Sequence, residues 1–276
     1  MNRAISLHVG VNRVDPAAYG GDPMPLKSCE ADMLAMAAIC RANGFTPTVL
    51  ATSQATRQGL IDAITLSAST LEAGDTFVIS FAGHGGTFVD VNGDDSDGQD
   101  ETWVLYDGEI LDDELYELWR RFRSGVRVLV VSDSCHSATV VYSTLMKLGL
   151  GVLARPVSSG TPRLISAAAA AASYPATAAN HAQVKARTSG IRLPLDCSLV
   201  LMAACQDNEL AWGDDNQGYF TRAIMALWNS EAGRRGYPAL TQAVRQTLRK
   251  QKPNCLRLGP PMPSFLEGPA FSRGSN

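Results

Sequence analysis

The sequence is first informative for what it lacks. No apolar run approaches the about 20 residues that a membrane-spanning helix needs, so we expect no membrane partner. The sequence also has no strong excess of either charge, because 24 Lys and Arg nearly balance 27 Asp and Glu and the net charge is −3. This balance gives no electrostatic reason to expect binding to nucleic acid. The first residues show no signal-peptide pattern, and we therefore expect a cytoplasmic location.

Several motifs of common site types are also missing. The six cysteines include no C-x-x-C pair, which argues against a structural zinc site or a disulfide framework. There is no G-x-S-x-G motif of serine hydrolases. A phosphatase loop would place Arg six positions after its cysteine, but residue 141 is Val. A flavodoxin-like ligand module is disfavoured because the first predicted strand is followed by "NRVDPAAYGGDP", which is not a glycine-rich phosphate loop.

The pattern that is present alternates apolar strands with helical stretches, which predicts an α/β fold with a mostly parallel sheet covered by helices on both faces. The predicted strands are 4–11, 46–50, 76–81, 126–131 and 197–204, and the predicted helices are 26–43, 56–73, 111–123, 219–229 and 240–250. Residues 154–194 break this pattern because they are rich in Ala, Ser, Thr and Pro and have few large apolar side chains. We predict a flexible insertion there, in which the alanine run could form a short helix. The Pro-rich tail "GPPMPSFLEGPAF", residues 259–271, is predicted to be extended.

Two of the buried strands end in polar, reactive sequence, "VISFAGHGG" at 78–86 and "VVSDSCHSA" at 130–138. In an open parallel sheet, ligands bind beyond the carboxyl ends of the strands. If these strands are neighbours, about 4.8 Å apart, the imidazole of His84 and the thiol of Cys135 approach each other. The imidazole would then generate the nucleophilic thiolate. The amide groups of Gly85 and Cys135 are candidates for an oxyanion hole.

Alternatives to this dyad remain open. Cys135 could be an inert buried thiol, as free cysteines often are. His136, next to Cys135, is the rival base, although adjacent residues at a strand end tend to point apart. His8 lies in the middle of a predicted strand and His181 lies in the insertion, so neither is expected to take part.

Four ordered motifs, "FAGHGG", "ILDDE", "DSCHSA" and "LMAACQDNELAWGDDNQGYFTRAI", resemble those of the caspase-like cysteine peptidases of clan CD. The closest resemblance is to metacaspases and their bacterial relatives in peptidase family C14. Caspases place their histidine about 50 residues before the cysteine, and the interval from His84 to Cys135 agrees. The resemblance implies one caspase-like, three-layer domain over 1–276 with a six-stranded sheet. Residues 1–150 would match the catalytic large subunit, and 195–276 the small subunit and tail.

The resemblance also implies a substrate pocket. In metacaspases an aspartate two positions before the cysteine, here Asp133, recognises Arg or Lys together with an aspartate of the first helix. The segment "LKSCEAD" supplies Cys29 and Asp32 for this role, and Ala82 stands where metacaspases often have Ser. Two carboxylates suit a guanidinium and repel acidic substrates. The alternative is that Asp32 and Asp133 only cap a helix or a turn.

The acidic stretch "DVNGDDSDGQDE", residues 90–101, raises the question of calcium. It has the spacing of EF-hand ligands, but Asp95 stands where that loop needs Gly, and no flanking helices are predicted. The resemblance implies a different calcium site made of Asp100, Asp112 and Asp113. A further aspartate of the family is replaced by Tyr142, which weakens that site. The alternative is a solvated acidic loop, with Asp112 and Asp113 capping the helix that follows.

The preferred hypothesis is therefore a cysteine endopeptidase that cleaves peptides or proteins after Arg or Lys and needs no cofactor for its chemistry, with calcium as a candidate activator. We expect a monomer, because caspases dimerise through their last strand and metacaspases generally do not. Self-cleavage is predicted in or beside the insertion, which offers Arg155, Arg163, Lys185, Arg187 and Arg192. The competing hypothesis is a catalytically inactive caspase-like scaffold that acts by binding proteins.

Overall fold

The structure is a computed structural model that describes residues 2–21, 25–89, 99–135, 161–188, 193–205 and 210–273. Within these ranges the strands are β1 (Ala4–Gly10), β2 (Thr46–Ala51), β3 (Thr76–Ala82), β4 (Gly85–Val89), β5 (Gln99–Val104), β6 (Glu109–Leu111), β7 (Arg127–Asp133), β8 (Thr161–Pro162), β9 (Ser198–Ala203), β10 (Trp212–Gly213) and β11 (Asn254–Leu258). The helices are α1 (Pro16–Tyr19), α2 (Cys29–Ala42), α3 (Arg57–Thr70), α4 (Asp112–Trp119), α5 (Ala167–Thr188), α6 (Tyr219–Leu227), α7 (Glu231–Arg234), α8 (Tyr237–Thr247) and α9 (Pro263–Leu266). In the part of the chain so described, no helix is long and apolar enough to cross a membrane.

The central sheet has six strands in the order β11-β9-β7-β3-β1-β2. All neighbouring pairs are parallel except β9 and β11, which run antiparallel. The predicted α/β architecture, with a six-stranded and mostly parallel sheet, is confirmed. Strands β3 and β7 are neighbours in a register that pairs Ala82 with Asp133. The two reactive sequences therefore leave the sheet side by side at the same edge.

Helices cover both faces of this sheet because its central strands are apolar on both faces. Successive side chains of a strand point to opposite faces. Thus Val128 and Val130 of β7 join one core, which also contains residues of α3, α4 and α5, whereas Leu129 and Val131 join a second core with residues of α2, α6 and α8. Packing on both faces holds the ends of β3 and β7 in place, which positions the site.

Three features differ from the sequence-based expectations. Strands β4, β5 and β6 form a separate antiparallel sheet that was not predicted. Residues 167–188 of the expected insertion form the long helix α5, not a short one, because Ala169, Ser173 and Thr177 pack inward at intervals of about one helical turn. The flexibility of the insertion stays a prediction, and 154–160 and 189–192 lie outside the described residues. The tail contains β11 and α9 and buries Phe271, so it is not simply extended.

Candidate active site

The two residues of the predicted dyad lie on adjacent segments at the carboxyl end of the sheet. His84 is buried in the short connection between β3 and β4, and Cys135 is buried two residues after β7. Gly85 packs directly on the backbone of Cys135, where an added Cβ would collide with the Cys135 carbonyl. Glycine is therefore required at this contact, which brings the segments of His84 and Cys135 together.

The thiol of Cys135 lies in a closed environment. Its Sγ accepts a hydrogen bond from the backbone N–H of Ala211 at 3.3 Å. Burial raises the pKa of the Cys135 thiol well above its usual value, the nearby Cys205 acts in the same direction, and hydrogen bonds from the backbone oppose them. With its surroundings closed in this way, the thiol does not ionise by itself near neutral pH. A base is needed to remove its proton.

An acidic pocket lies next to the thiol. Asp32 comes from the first turn of α2 and Asp133 from the end of β7, and both are buried. The backbone N–H of Gly218 donates to the Asp32 carboxylate at 3.0 Å, and Thr221 donates to Asp133 Oδ2 through its N–H at 3.1 Å and its hydroxyl at 2.7 Å. Asp133 Oδ1 accepts neither of the Thr221 bonds, and two neighbouring buried carboxylates suit a cation.

The cation in this pocket is an arginine of the same chain. The guanidinium of Arg163 forms an ion pair with Asp32 and another with Asp133 Oδ1 at 3.1 Å. It also donates to the Asp133 carbonyl at 2.7 Å and to the Ser28 hydroxyl at 3.3 Å. The side chain of Arg163 is 1% exposed, so the pocket encloses it fully.

The pKa values of this group reflect competition between burial and charge. Burial raises the pKa of Asp32 to about 6, although the Arg163 guanidinium acts in the opposite direction. Burial alone would lower the pKa of Arg163, but Asp133, Cys29 and Asp32 raise it above its ordinary value. Arg163 is therefore held as a cation, as a buried guanidinium between carboxylates must be.

The backbone of Arg163 is held as specifically as its side chain. Its carbonyl oxygen accepts hydrogen bonds from the N–H of Gly85 at 2.9 Å and from the N–H of Cys135 at 3.3 Å. Its own N–H donates to the Ala211 carbonyl at 3.0 Å. The two amides that the sequence suggests as an oxyanion hole thus converge on one carbonyl oxygen. That carbonyl belongs to the residue whose side chain fills the acidic pocket.

The other two predicted pocket residues form an apolar wall. Cys29 and Ala82 are buried and cluster with Leu26. Burial raises the pKa of the Cys29 thiol to about 12, although Arg163 acts in the opposite direction. Cys29 therefore stays a neutral thiol, and the negative charge of the pocket comes from the two aspartates.

Sequence reasoning missed three contributors to the site. Arg163 was considered only as a cleavage point, not as the occupant of the pocket. Gly218 lines the pocket, because an added Cβ would collide with the Asp133 carboxylate and the Arg163 guanidinium. Ala211 contacts both the thiol and the arginine backbone. Gly218 and Ala211 lie within the last of the four motifs, so that motif was the sequence signal from which these two residues could have been found.

The residues proposed for calcium are only partly described. Asp112 and Asp113 are the first two residues of α4, where carboxylates favour the helix dipole. The side chain of Asp100 and residues 90–98 lie outside the described residues. In the described part of the chain, no three His, Cys, Asp or Glu side chains come together to hold a metal. The calcium site of Asp100, Asp112 and Asp113 stays a prediction, because one of its three carboxylates lies outside the described residues.

The remaining histidines are placed as follows. His8 is buried in β1 with Nδ1 2.8 Å from the Ser80 hydroxyl, and burial, with a smaller effect of Arg41, lowers its pKa to about 3. It is thus a neutral residue of the sheet, away from the strand ends. His136 and the side chain of His181 lie outside the described residues.

Comparisons with known proteins agree with this geometry. The family described as "Metacaspase, peptidase C14 domain" matches residues 6–143. Metacaspase-1 of Schizosaccharomyces pombe is 26% identical over 70% of this chain and 51% of its own length. Metacaspase-1B of Aspergillus terreus is 30% identical over 56% of this chain and 43% of its own length. The chain thus matches about half the length of these curated relatives.

Solved structures extend the likeness over the whole chain. The crystal structure of protein GSU0716 from Geobacter sulfurreducens is 38% identical, with a TM-score of 0.83 over 98% of this chain and 99% of that chain. Caspase-1 of Spodoptera frugiperda is 11% identical, with a TM-score of 0.58 over 99% of this chain and 90% of that chain. At that identity the caspase likeness shows the fold alone.

Proposed function

Because the chain belongs to the metacaspase family of C14 peptidases, we propose that it is a cysteine endopeptidase that cleaves peptide bonds after Arg or Lys. The observation that carries this proposal is the arrangement around Arg163. An arginine side chain lies between two buried aspartates while its carbonyl oxygen accepts two N–H groups beside the candidate nucleophile. A substrate arginine bound in the same way would present its carbonyl to Cys135.

In the proposed reaction, His84 removes the proton of the Cys135 thiol, and the thiolate attacks the carbonyl carbon after the substrate arginine. The raised pKa of the buried thiol is a reason to require a base. The N–H groups of Gly85 and Cys135 stabilise the negative charge that develops on the carbonyl oxygen. His84 then returns the proton to the leaving amine, and water hydrolyses the thioester.

Specificity is proposed to come from the acidic pocket. A guanidinium binds both Asp32 and Asp133, as Arg163 does, and a lysine ammonium reaches the same charges with fewer hydrogen bonds. An acidic residue would place a third negative charge in a buried space, which is strongly unfavourable. We therefore expect cleavage after Arg to be faster than after Lys, and no cleavage after Asp.

The test is hydrolysis of a fluorogenic peptide that ends in Arg. The wild-type protein should release the fluorophore, whereas the Cys135→Ala variant should show no release above the uncatalysed background. The Cys197→Ala variant is the matched control and should hydrolyse the peptide as wild type does, because it also removes a buried thiol but one that contacts the Trp119 carbonyl at the amino end of β9, away from the site. Equal activity of wild type and Cys135→Ala would refute the proposal.

The competing function is an inactive scaffold whose cleft is permanently blocked. The observation that favours it is the occupied pocket, because Arg163 excludes any other arginine while it stays bound. The two functions differ in whether the thiol becomes reactive toward a substrate. A scaffold would hydrolyse no Arg-ended peptide under any condition, whereas the peptidase would do so once the segment around Arg163 leaves the pocket.

Calcium activation is part of the proposal and would involve Asp100, Asp112 and Asp113. Carboxylate oxygens are suitable calcium ligands, and bound calcium would supply positive charge beside these carboxylates. Titration calorimetry on the Cys135→Ala protein tests it, and the absence of calcium binding would end the idea. Self-cleavage in the insertion, a monomeric state and a cytoplasmic location remain parts of the same proposal.

A further inference from the structure

We infer that the protein cuts its own chain between Arg163 and Leu164, and that each molecule cuts itself. This inference rests on the proposed peptidase function and adds to it the bond, the molecule and the order of events. The evidence is the path of the backbone from residue 161 to residue 165, which runs through the cleft in an extended form on both sides of that bond.

Before the bond, the segment is paired as a short strand. β8 is antiparallel to β10, with Pro162 opposite Trp212 and Thr161 opposite Gly213. The N–H of Arg163 then donates to the Ala211 carbonyl at 3.0 Å and continues this pairing. Peptide substrates are often bound in this way, by adding a strand to an exposed edge.

After the bond, the segment changes partner. Leu164 forms a parallel bridge with Gly85, and the N–H of Ile165 donates to the Gly85 carbonyl at 3.1 Å. The backbone is thus hydrogen-bonded immediately before and after the Arg163–Leu164 bond. The carbonyl of that bond is the one that accepts the N–H groups of Gly85 and Cys135. The Arg163–Leu164 peptide bond is therefore held as the scissile bond of a substrate would be. The pocket does not merely hold the Arg163 side chain.

The other basic residues of the insertion are less suited to cleavage. Lys185 and Arg187 lie within helix α5, so the helix would have to unwind before either could adopt an extended path. Arg155 and Arg192 lie outside the described residues. Among the described residues, Arg163 alone pairs with both Asp32 and Asp133. We therefore assign the first cut to Arg163.

The chain after the bond is fixed to the body of the protein. Ile165 and Ala169 are buried in the core beside the sheet. Farther along α5, the Ser173 hydroxyl donates to the buried carboxylate of Glu109, which also accepts from Thr102. These contacts hold Leu164 at the site of its own molecule, so the reaction needs no second copy.

The chemical step balances without any added reagent except water. The Cys135 thiolate forms a bond to the carbonyl carbon of Arg163, and the bond from that carbon to the Leu164 nitrogen breaks. The Leu164 amine leaves with the proton that His84 took from the thiol. Water then hydrolyses the thioester that joins Arg163 to Cys135, which leaves a carboxylate on Arg163 and restores the thiol.

The products should stay together after the cut. Fragment 1–163 contains β7 and fragment 164–276 contains β9, and these strands pair side by side in the central sheet. The cut changes how Arg163 is attached, because Arg163 becomes the end of a chain, with a free carboxylate, and is no longer bonded to Leu164. The pocket between Asp32 and Asp133 can then release it and accept a substrate arginine.

The experiment follows the intact mass of purified full-length protein over time, with and without calcium. We expect wild type to convert to fragments 1–163 and 164–276 that co-elute on size exclusion, with a rate constant that does not change over a hundredfold range of protein concentration. The Arg163→Gln variant should not be cut at this bond. The Arg155→Gln variant is the matched control and should be cut as fast as wild type.

A mixing experiment separates self-cutting from cutting between molecules. Tagged Cys135→Ala protein should stay intact when incubated with active wild type. A rate that rises with concentration, cleavage of the tagged variant, or a first cut at another bond would overturn the inference. An intact wild-type chain that hydrolyses an Arg-ended peptide would also overturn it and leave the proposed function standing. An intact chain without peptide hydrolysis would refute both.

Discussion

The two stretches of chain on either side of the Arg163–Leu164 bond are held by different forces. Before the bond, Arg163 is held by ion pairs with Asp32 and Asp133 and by a few backbone hydrogen bonds. After the bond, the chain is held by apolar burial of Ile165 and Ala169 and by the packing of α5. The first kind of contact is what a substrate arginine could reproduce. The second belongs to the folded core and has no counterpart in a substrate.

This difference shows how one chain can both fill its cleft and later vacate it. Ion pairs in a pocket are exchangeable, because a second guanidinium meets the same carboxylates. A packed helix is not exchangeable, since its removal exposes apolar surface to water. The account therefore predicts large effects on activity for changes to the ion pairs of the arginine pocket, and small, purely structural effects for changes to the packing of the chain after the bond.

The largest expected effect is that of Asp133→Asn on cleavage after arginine. Loss of one partner of a buried, hydrogen-bonded charge pair typically costs about 2–5 kcal/mol, so kcat/KM for an Arg-ended peptide should fall at least about thirtyfold. The exposed Asp215, paired with Lys27 at the surface, provides the control, and Asp215→Asn should leave kcat/KM unchanged. Equal kcat/KM for wild type and Asp133→Asn would show that Asp133 does not help to bind the substrate arginine.

The next effect concerns stability and requires the uncut Cys135→Ala background. Arg163→Ala leaves two buried carboxylates without their cation, and we expect the free energy of unfolding to fall by about 3 kcal/mol in urea denaturation at neutral pH. Arg222→Ala is the matched control, because Arg222 forms an exposed ion pair with Asp214 and should cost at most about 1 kcal/mol. Equal losses of unfolding free energy for the two variants would contradict the claim that buried ion pairs hold Arg163 in the pocket.

The pH dependence of substrate binding should reflect Asp32. Burial raises the pKa of this carboxyl to about 6 with an arginine bound. Because the Arg163 guanidinium acts to lower this pKa, the empty pocket takes up its proton at a higher pH than the occupied one. As the pH falls from about 8 toward about 6, KM for an Arg-ended peptide should therefore rise by up to about tenfold and then level off. Asp32→Asn should remove most of this dependence. A KM that stays constant over this range in the wild type would exclude Asp32 as a ligand of the substrate cation.

The smallest effect is expected after the bond. Ser173→Ala removes a buried hydrogen bond to Glu109 and should lower the free energy of unfolding by about 1–2 kcal/mol in the Cys135→Ala background. In protein with the native cysteine, the same change should leave kcat/KM for an Arg-ended peptide unchanged. The exposed Gln183 of the same helix is the control, and Gln183→Ala should alter neither quantity. A large loss of peptide hydrolysis in Ser173→Ala would show that the two stretches are not energetically separate.

The parts of the molecule that could be predicted from the sequence are those with a local signal. The apolar runs that become β3 and β7 and the polar residues that follow them predict where His84 and Cys135 lie. Asp32 and Asp133 were accessible only through the family resemblance, because nothing in their spacing shows that α2 and β7 meet.

The remaining features depend on contacts between distant parts of the chain. The path of 161–165 has no periodic pattern, and its position is decided by charge pairing with residues far away in sequence. Helix α5 buries mainly small residues, so its apolar signal is weak, although Ser173 and Thr177 face inward. Strand β11 is only partly buried and therefore lacks the continuous apolar run that marks β7.

The most direct test of the central claim is mass spectrometry after treatment with an arginyl peptide chloromethyl ketone. The account predicts a single adduct on Cys135 in the wild-type protein, and no adduct with the matching aspartyl reagent, because the two aspartates of the pocket admit a cation and repel an anion. Absence of the arginyl adduct on Cys135, or equal labelling by the aspartyl reagent, would contradict a cysteine peptidase with an arginine pocket.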